Sequence, residues 1–318
     1  MHTLPILAVV RLASLRLATV CKQVLCFSLF VGLSCSAGSA FAALKVTGSD
    51  GHSVTLVAPA TRIVSLAPDL TELTYDVGAG GALLATVAYS DYPAEARQLP
   101  RVGDAFHVDV EKVVAFKPDL VLAWQGGTPP TLIERLRGLG LPVLAIGTTD
   151  LTGIAANLEL LGRATGHDSE AAKAARDFRD GLDALDARYA KAMPLRVFYE
   201  VSEEPLFTVG GRQTISRLMA VCGGQNIFGD LDALGPSVGM EAVLARDPQA
   251  IVSGDGEGDV ARRFKTWQRW PELSAVRYGN FIAVNDDWVS RATPRVLLAG
   301  QQLCEAFQKA RAKLSIAH

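Results

Sequence analysis

The chain has 318 residues, 49% of them hydrophobic, and a formal net charge of −2 at pH 7. That length and apolar content can bury one large core or two modest ones. The near-neutral balance excludes nucleic acid and acidic surfaces as obvious partners.

Residues 1–42 read as a secretory signal peptide. Arg11, Arg16 and Lys22 occur there with no acid, followed by an apolar run over 24–33 and the small-residue end Ala40-Phe41-Ala42. Cleavage is expected after Ala42, and the apolar run is too short to span a bilayer by itself. Lipid attachment at Cys35 is the alternative, disfavoured because Leu33 stands one place too late for such a site. Cleavage removes Cys21, Cys26 and Cys35, leaving Cys222 and Cys304. An even number of cysteines in an oxidising compartment predicts one disulfide, with two free buried thiols as the alternative.

Strands and helices then alternate. After a short segment over 43–59, a buried strand over 62–66 precedes a helix over 71–79, with Asp69 or Thr71 able to cap it. Strands follow over 83–87, 120–124 and 142–146, interleaved with helices over 108–115, 131–139 and 151–165. This spacing predicts βαβ units and a mostly parallel sheet. A long helix over 168–193 comes next, capped by Asp168 or Ser169. Its apolar positions Ala171, Ala174, Ala175, Phe178, Leu182, Leu185 and Tyr189 form one stripe along its length. The alternation then starts afresh, with strands over 196–201, 250–253 and 280–284. Helices are expected over 215–221, 241–245, 267–273 and 294–313.

A faint repeat links the two parts. Glu111-Lys-Val-Val-Ala-Phe-Lys-Pro118-Asp-Leu-Val-Leu resembles Glu241-Ala-Val-Leu-Ala-Arg-Asp-Pro248-Gln-Ala-Ile-Val. Each places a glutamate at a helix start, a proline at the turn and an apolar strand after it. Two such segments on either side of one helix argue for two similar lobes.

Catalytic signatures are missing from the sequence. The Gly-Gly pairs are not spaced as a dinucleotide or phosphate loop, and no Gly-x-Ser-x-Gly elbow occurs. The histidines after residue 42 (His52, His107, His167 and His318) form no pair at metal spacing, so neither a metal site nor a resident cofactor is expected. Aromatic residues are more informative. Tyr89, Tyr92, Phe106, Trp124, Phe207 and Trp288 lie at or just after predicted strand ends, where open α/β sheets gather their ligands. Such rings suit a flat, bulky ligand.

With these residues in hand, a family resemblance becomes visible. Tyr89-Ser-Asp-Tyr-Pro, Lys117-Pro-Asp-Leu-Val-Leu-Ala-Trp-Gln-Gly-Gly, Val221-Cys-Gly-Gly-Gln-Asn-Ile-Phe and Asp287-Trp-Val-Ser-Arg-Ala-Thr-Pro-Arg resemble the periplasmic cobalamin-binding proteins of ABC importers. These belong to the helical-backbone class of solute-binding proteins. The resemblance implies a class III periplasmic binding fold, with two α/β lobes of mostly parallel sheets joined by one rigid helix. The expected division is a signal peptide over 1–42, an N-terminal lobe over 43–166, the linking helix over 167–193 and a C-terminal lobe over 194–318. It further implies a monomer that binds cobalamin or a related corrinoid between the lobes. Tyr89 and Trp124, with Phe207, Asp287, Trp288 and Arg291, match positions in or beside the family's cleft. Glu111 and Glu241 match glutamates that dock onto a membrane permease, and Cys222 and Cys304 match the family's disulfide. One stretch departs: Ala105-Phe106-His107 stands where the family has tryptophan-glutamine-glycine. Either Phe106 replaces the lost ring or the pocket is tuned to another corrinoid, and His107 keeps haem open. The alternative function is a haem or iron-siderophore carrier of the same class, followed by a periplasmic corrinoid-processing enzyme.

Overall fold

The computed structural model describes residues 43–104, 107–255 and 260–316. The expected signal peptide, its Cys35 and Phe106 lie outside those residues. The segment after residue 42 is more regular than its sequence suggested. Strands β1 (Leu44–Thr47) and β2 (Ser53–Leu56) form an antiparallel hairpin. Val46, Val54 and Leu56 are its buried residues, so one face packs inward while the other meets solvent.

Two four-stranded parallel sheets follow. The first contains β3 (Ile63–Ser65), β4 (Leu83–Ala85), β5 (Leu120–Trp124) and β6 (Val143–Ile146), in the order β4-β3-β5-β6. Its helices are α1 (Pro68–Asp76), α2 (Val110–Ala115), α3 (Pro130–Gly138) and α4 (Thr152–Thr165). The second contains β7 (Leu195–Glu200), β8 (Gly224–Asn226), β9 (Ala250–Gly254) and β10 (Phe281–Val284), in the order β8-β7-β9-β10. With it come α6 (Thr214–Val221), α7 (Met240–Arg246), α8 (Val260–Trp267), α9 (Ser274–Arg277), α10 (Asp286–Ser290) and α11 (Val296–Ile316). Between the two sets runs α5 (Asp168–Tyr189). In both sheets the second strand of the set lies at an edge and the first pairs with the third.

The repeat read from the sequence is therefore also a repeat of backbone. Lys117 and Asp247 both adopt left-handed conformations, φ 48° and 41°, immediately before Pro118 and Pro248. A proline disfavours the right-handed helical conformation in the residue before it, and the turn is taken by the left-handed alternative. Each turn is held by an arginine at the start of the lobe's first strand. Arg62 donates from Nε to the Lys117 carbonyl at 3.1 Å, and Arg196 does the same to the Asp247 carbonyl at 2.9 Å.

Helix α5 joins the halves through one continuous core. Ala171, Ala175, Phe178, Leu182, Leu185 and Tyr189 are all buried and belong to a single apolar cluster. Ile63, Leu120 and Leu144 join that cluster from the first sheet, and Val197, Ala250 and Ile282 from the second. Close approach depends on glycine. A Cβ on Gly162 of α4 would sit 2.3 Å from the Ala171 Cβ, and one on Gly300 of α11 would sit 2.6 Å from Leu185 Cδ2. Either substitution would push a neighbouring helix away from α5.

Several boundaries differ from expectation for identifiable reasons. Helix α5 stops at Tyr189, the last buried residue of its stripe, with Ala190 as C-cap, and Pro194 further on disfavours helical backbone at Met193. Its N-cap is His167, so Asp168 and Ser169 lie inside the helix. Helix α1 begins with Pro68 at its first turn and Ala67 as N-cap, so Asp69 and Thr71 are not its caps. No helix forms over 267–273; α8 ends at Trp267, and Pro271 prevents its continuation through the turns that follow.

Cys222, at the end of α6, and Cys304, in α11, form the expected disulfide across a sequence separation of 82. Loop closure of that length constrains the unfolded chain by about 4 kcal/mol. The double substitution Cys222→Ala/Cys304→Ala is expected to lose about 2–4 kcal/mol in urea denaturation while keeping the same fold.

Candidate functional site

Parallel strands that are buried on both faces leave their carboxyl ends as the places where polar loops can meet a ligand. Strand β5 shows the transition: Leu120 to Ala123 are wholly buried, and Trp124 at its end is 41% exposed. Around that indole three cavities of ≈ 770, ≈ 910 and ≈ 260 Å³ open between the strand ends of the two sheets. Trp124 and Ser290 line all three, which makes them compartments of one cleft. Two of the compartments reach the upper part of the roughly 300–1,000 Å³ of a small-molecule pocket, and side by side they suit a bulky ligand.

In the first compartment Tyr89, Asp91 and Trp124 face Asp287 and Arg291. Tyr89 is 67% exposed and holds a left-handed φ of 65°, unusual for an aromatic residue. Its neighbours over-determine that conformation. Buried Ser90 joins a hydroxyl cluster with Thr71 and Thr86, in which Thr86 and Ser90 are 2.8 Å apart and Thr71 and Thr86 2.6 Å. Strain maintained by such a network is typical of functional loops. Phe207 lies in the second compartment with Trp124, Tyr199 and Arg263.

The cleft thus gathers Tyr89, Trp124, Phe207, Asp287 and Arg291 from the expected set. Tyr92 and Trp288 line none of the three compartments. Tyr92 lies beneath the Arg295 guanidinium, 3.9 Å from its ring centroid. Trp288 packs against the large core instead. The cause is α10, a helix that strand-end reasoning did not foresee. Its periodicity turns Asp287, Ser290 and Arg291 to the cleft and Trp288 away from it. His107 carries a side chain that is 90% exposed, lies 3.7 Å from Asp104 and lines no compartment. Glu111 and Glu241 are exposed and occupy the second positions of α2 and α7, one in each half.

Of the carboxylates, sequence reasoning found only Asp287. Asp69, Asp91, Asp255, Asp286 and Asp287 line the first compartment, where Arg291 is the cation among its lining residues. Burial, followed by the charges of Asp287 and Asp255, raises the Asp286 pKa. Burial also pushes the Asp69 carboxyl up to about 6. Behind the wall, Glu72 on α1 is 0% exposed and accepts from Arg295 Nε at 2.8 Å and Nη2 at 2.5 Å. The signal for this pair was present in the sequence as Thr71-Glu72 and Arg291-Ala-Thr-Pro-Arg295, but nothing local joins segments so far apart.

Comparison with known proteins gives four findings. A family model described as periplasmic binding protein matches residues 63–288. The vitamin B12-binding protein of Yersinia pestis (strain Pestoides F) is 39% identical over 246 residues, which covers 77% of this chain and 86% of the relative. The periplasmic vitamin B12 binding protein BtuF of Vibrio cholerae matches with a TM-score of 0.74 and 39% identity, covering 80% of this chain and 98% of its own. The periplasmic heme-binding protein RhuT of Roseiflexus sp. RS-1 matches with a TM-score of 0.70 at 22% identity, over 78% of this chain and 98% of its own. At that identity the likeness is one of fold.

Asp76, half-buried at the end of α1, gives a pH-dependent prediction. Its Oδ2 has no hydrogen-bond partner among the described residues, and burial, with the Glu72 charge behind it, pushes the carboxyl up from 3.8 to about 7. The folded state therefore keeps a proton that the unfolded chain releases, and stability is lost as pH rises from about 4 to about 7. Asp76→Asn is expected to raise Tm by a few degrees at about pH 8, with the gain vanishing toward pH 4 in calorimetric scans.

Proposed function

We propose that this chain, which belongs to the periplasmic binding protein family, captures cobalamin or a related corrinoid in the periplasm and hands it to an ABC importer. The supporting observation is the exposed Trp124 indole at the junction of three compartments, with the Tyr89 ring on the wall of one. A corrin is a broad macrocycle fringed with carboxamides. Aromatic faces stack on such a surface at low entropic cost, and the polar rim can bond the amides. The B12-binding relatives at 39% identity support the same ligand class.

Electrostatics favour this ligand over haem. Haem brings two propionates, and the first compartment would set them against five aspartates. Its Arg291 is already bonded to Asp91 at 3.0 Å and to Asp287 at 2.6 Å. Carboxamides carry no charge and meet no such repulsion. The role is capture and release rather than catalysis, since binding needs only the wall residues described.

Delivery is assigned to Glu111 and Glu241. The repeat gives them the same position on equivalent helices, and both side chains are exposed. One carboxylate per lobe fits a permease with two-fold symmetry, and such exposed pairs add orientation and on-rate more than affinity. In this reading the molecule works as a monomer. Residues 1–42 direct export and are removed, 43–166 and 194–318 form the lobes, and 167–193 link them.

Trp124→Ala is expected to weaken cyanocobalamin binding by about ten-fold or more in calorimetric titration, with the fold intact because the ring is half out of the core. Absorption titrations with cyanocobalamin and haemin separate the two ligand classes; uptake of haemin alone would refute the corrinoid reading. Glu111→Ala/Glu241→Ala is expected to keep corrinoid affinity and lose complex formation with the permease in vesicles. Loss of corrinoid binding in that double variant would contradict the division of roles.

A further inference from the structure

The loop over 89–92 belongs to the first half of the chain, yet the second half holds it. Arg291, only 9% exposed, donates from Nη2 to the Tyr89 carbonyl at 3.1 Å and from Nη1 to Asp91 at 3.0 Å. Arg295 covers the Tyr92 ring. Both arginines come from one short strap between α10 and α11, and the strap is anchored on Glu72 of α1. Glu72 accepts the Arg295 fork and the Thr293 hydroxyl at 2.5 Å, and its Oε2 lies 3.8 Å from Arg291 Nη1. Glu72 and Thr293 are both 0% exposed and line no compartment, so neither can touch a ligand.

We propose that Glu72 is a positioning residue: it fixes the Arg291–Arg295 strap across the two halves, and the strap presents Tyr89 to the cleft in a preset orientation. Several observations support such a device, acting beside the hydroxyl cluster around Ser90. Tyr89 is exposed and left-handed, so little of its own packing holds it. Its carbonyl, the Asp91 carboxylate and the Tyr92 ring are each engaged by an arginine from the other half. A fork-to-carboxylate pair shielded from water is directional, and losing one partner leaves the other charged and unpaired. Order set before the ligand arrives removes an entropic cost from binding. Tyr92 thereby acquires a role as a clamp contact rather than as part of the ligand wall.

This inference rests on the proposed corrinoid function, and the test separates the two. Glu72→Gln and the milder Thr293→Val are made in the full chain and studied as the exported protein, alone and with Tyr89→Ala. Hydrogen exchange of the ligand-free protein is expected to quicken in 86–92 and 288–296 and to stay unchanged in α4 and α5. Cyanocobalamin affinity is expected to fall by about ten-fold in Glu72→Gln and less in Thr293→Val. Tyr89→Ala added to Glu72→Gln is expected to cost little more, because both act through the same ring. A merely structural role predicts additive losses and general exchange, and either result overturns the proposal. Unchanged exchange in 86–92 also overturns it. If the unsubstituted protein takes up no corrinoid, the functional reading fails, while the exchange data still decide whether Glu72 orders the loop. Should Glu72→Gln fail to fold, Thr293→Val carries both measurements.

Discussion

The apolar stripe on α5 is the constraint on which the rest depends. Its residues are buried in a cluster that takes members from both sheets, so the helix belongs to neither half alone. Opening the halves like a hinge would pull Ala171 from Gly162 or Leu185 from Gly300 and expose apolar surface to water. The geometry between the sheets, and with it the width of the cleft, is consequently set by packing. A slot of this kind selects its occupant by shape.

Duplication of the backbone explains why the cleft has two comparable walls. Each half orders its strands alike, turns through a left-handed residue before a proline, and ties that turn with an arginine from its first strand. Both sheets are parallel, so every strand within each sheet ends in the same direction and delivers its loop to one edge. The wall chemistry then diverges. The first half supplies the exposed Tyr89 and Trp124, while the second supplies Phe207, Asp287 and Arg291.

Apolar and polar contacts divide the work of joining the halves. Packing on α5 is strong but non-directional and sets distance. The Glu72 network is directional and sets the orientation of a few loop residues at the cleft. Burial makes such a network sensitive to any missing partner, because an unpaired charge there has no water to turn to. The raised pKa values of Asp69 and Asp76 on the same helix reflect that shortage of solvent.

Local patterns in the sequence determined the two α/β halves, the stripe on the long helix and the positions of Trp124, Glu111 and Glu241. Each follows from periodicity, proline placement or strand-end position, which are properties of short segments. The hairpin over 44–56 and the turn of α10 that removes Trp288 from the cleft were decided by neighbours. So was the most consequential pair, Glu72 with Arg295, separated by more than two hundred positions and recorded by no local pattern. Glu72 reads in sequence as an ordinary helical acid, and Tyr92 as one more ring at a strand end. Only when the chain brings α1 against the strap do they become a buried anchor and a clamp, because the desolvation that gives those contacts their strength exists nowhere in the unfolded chain.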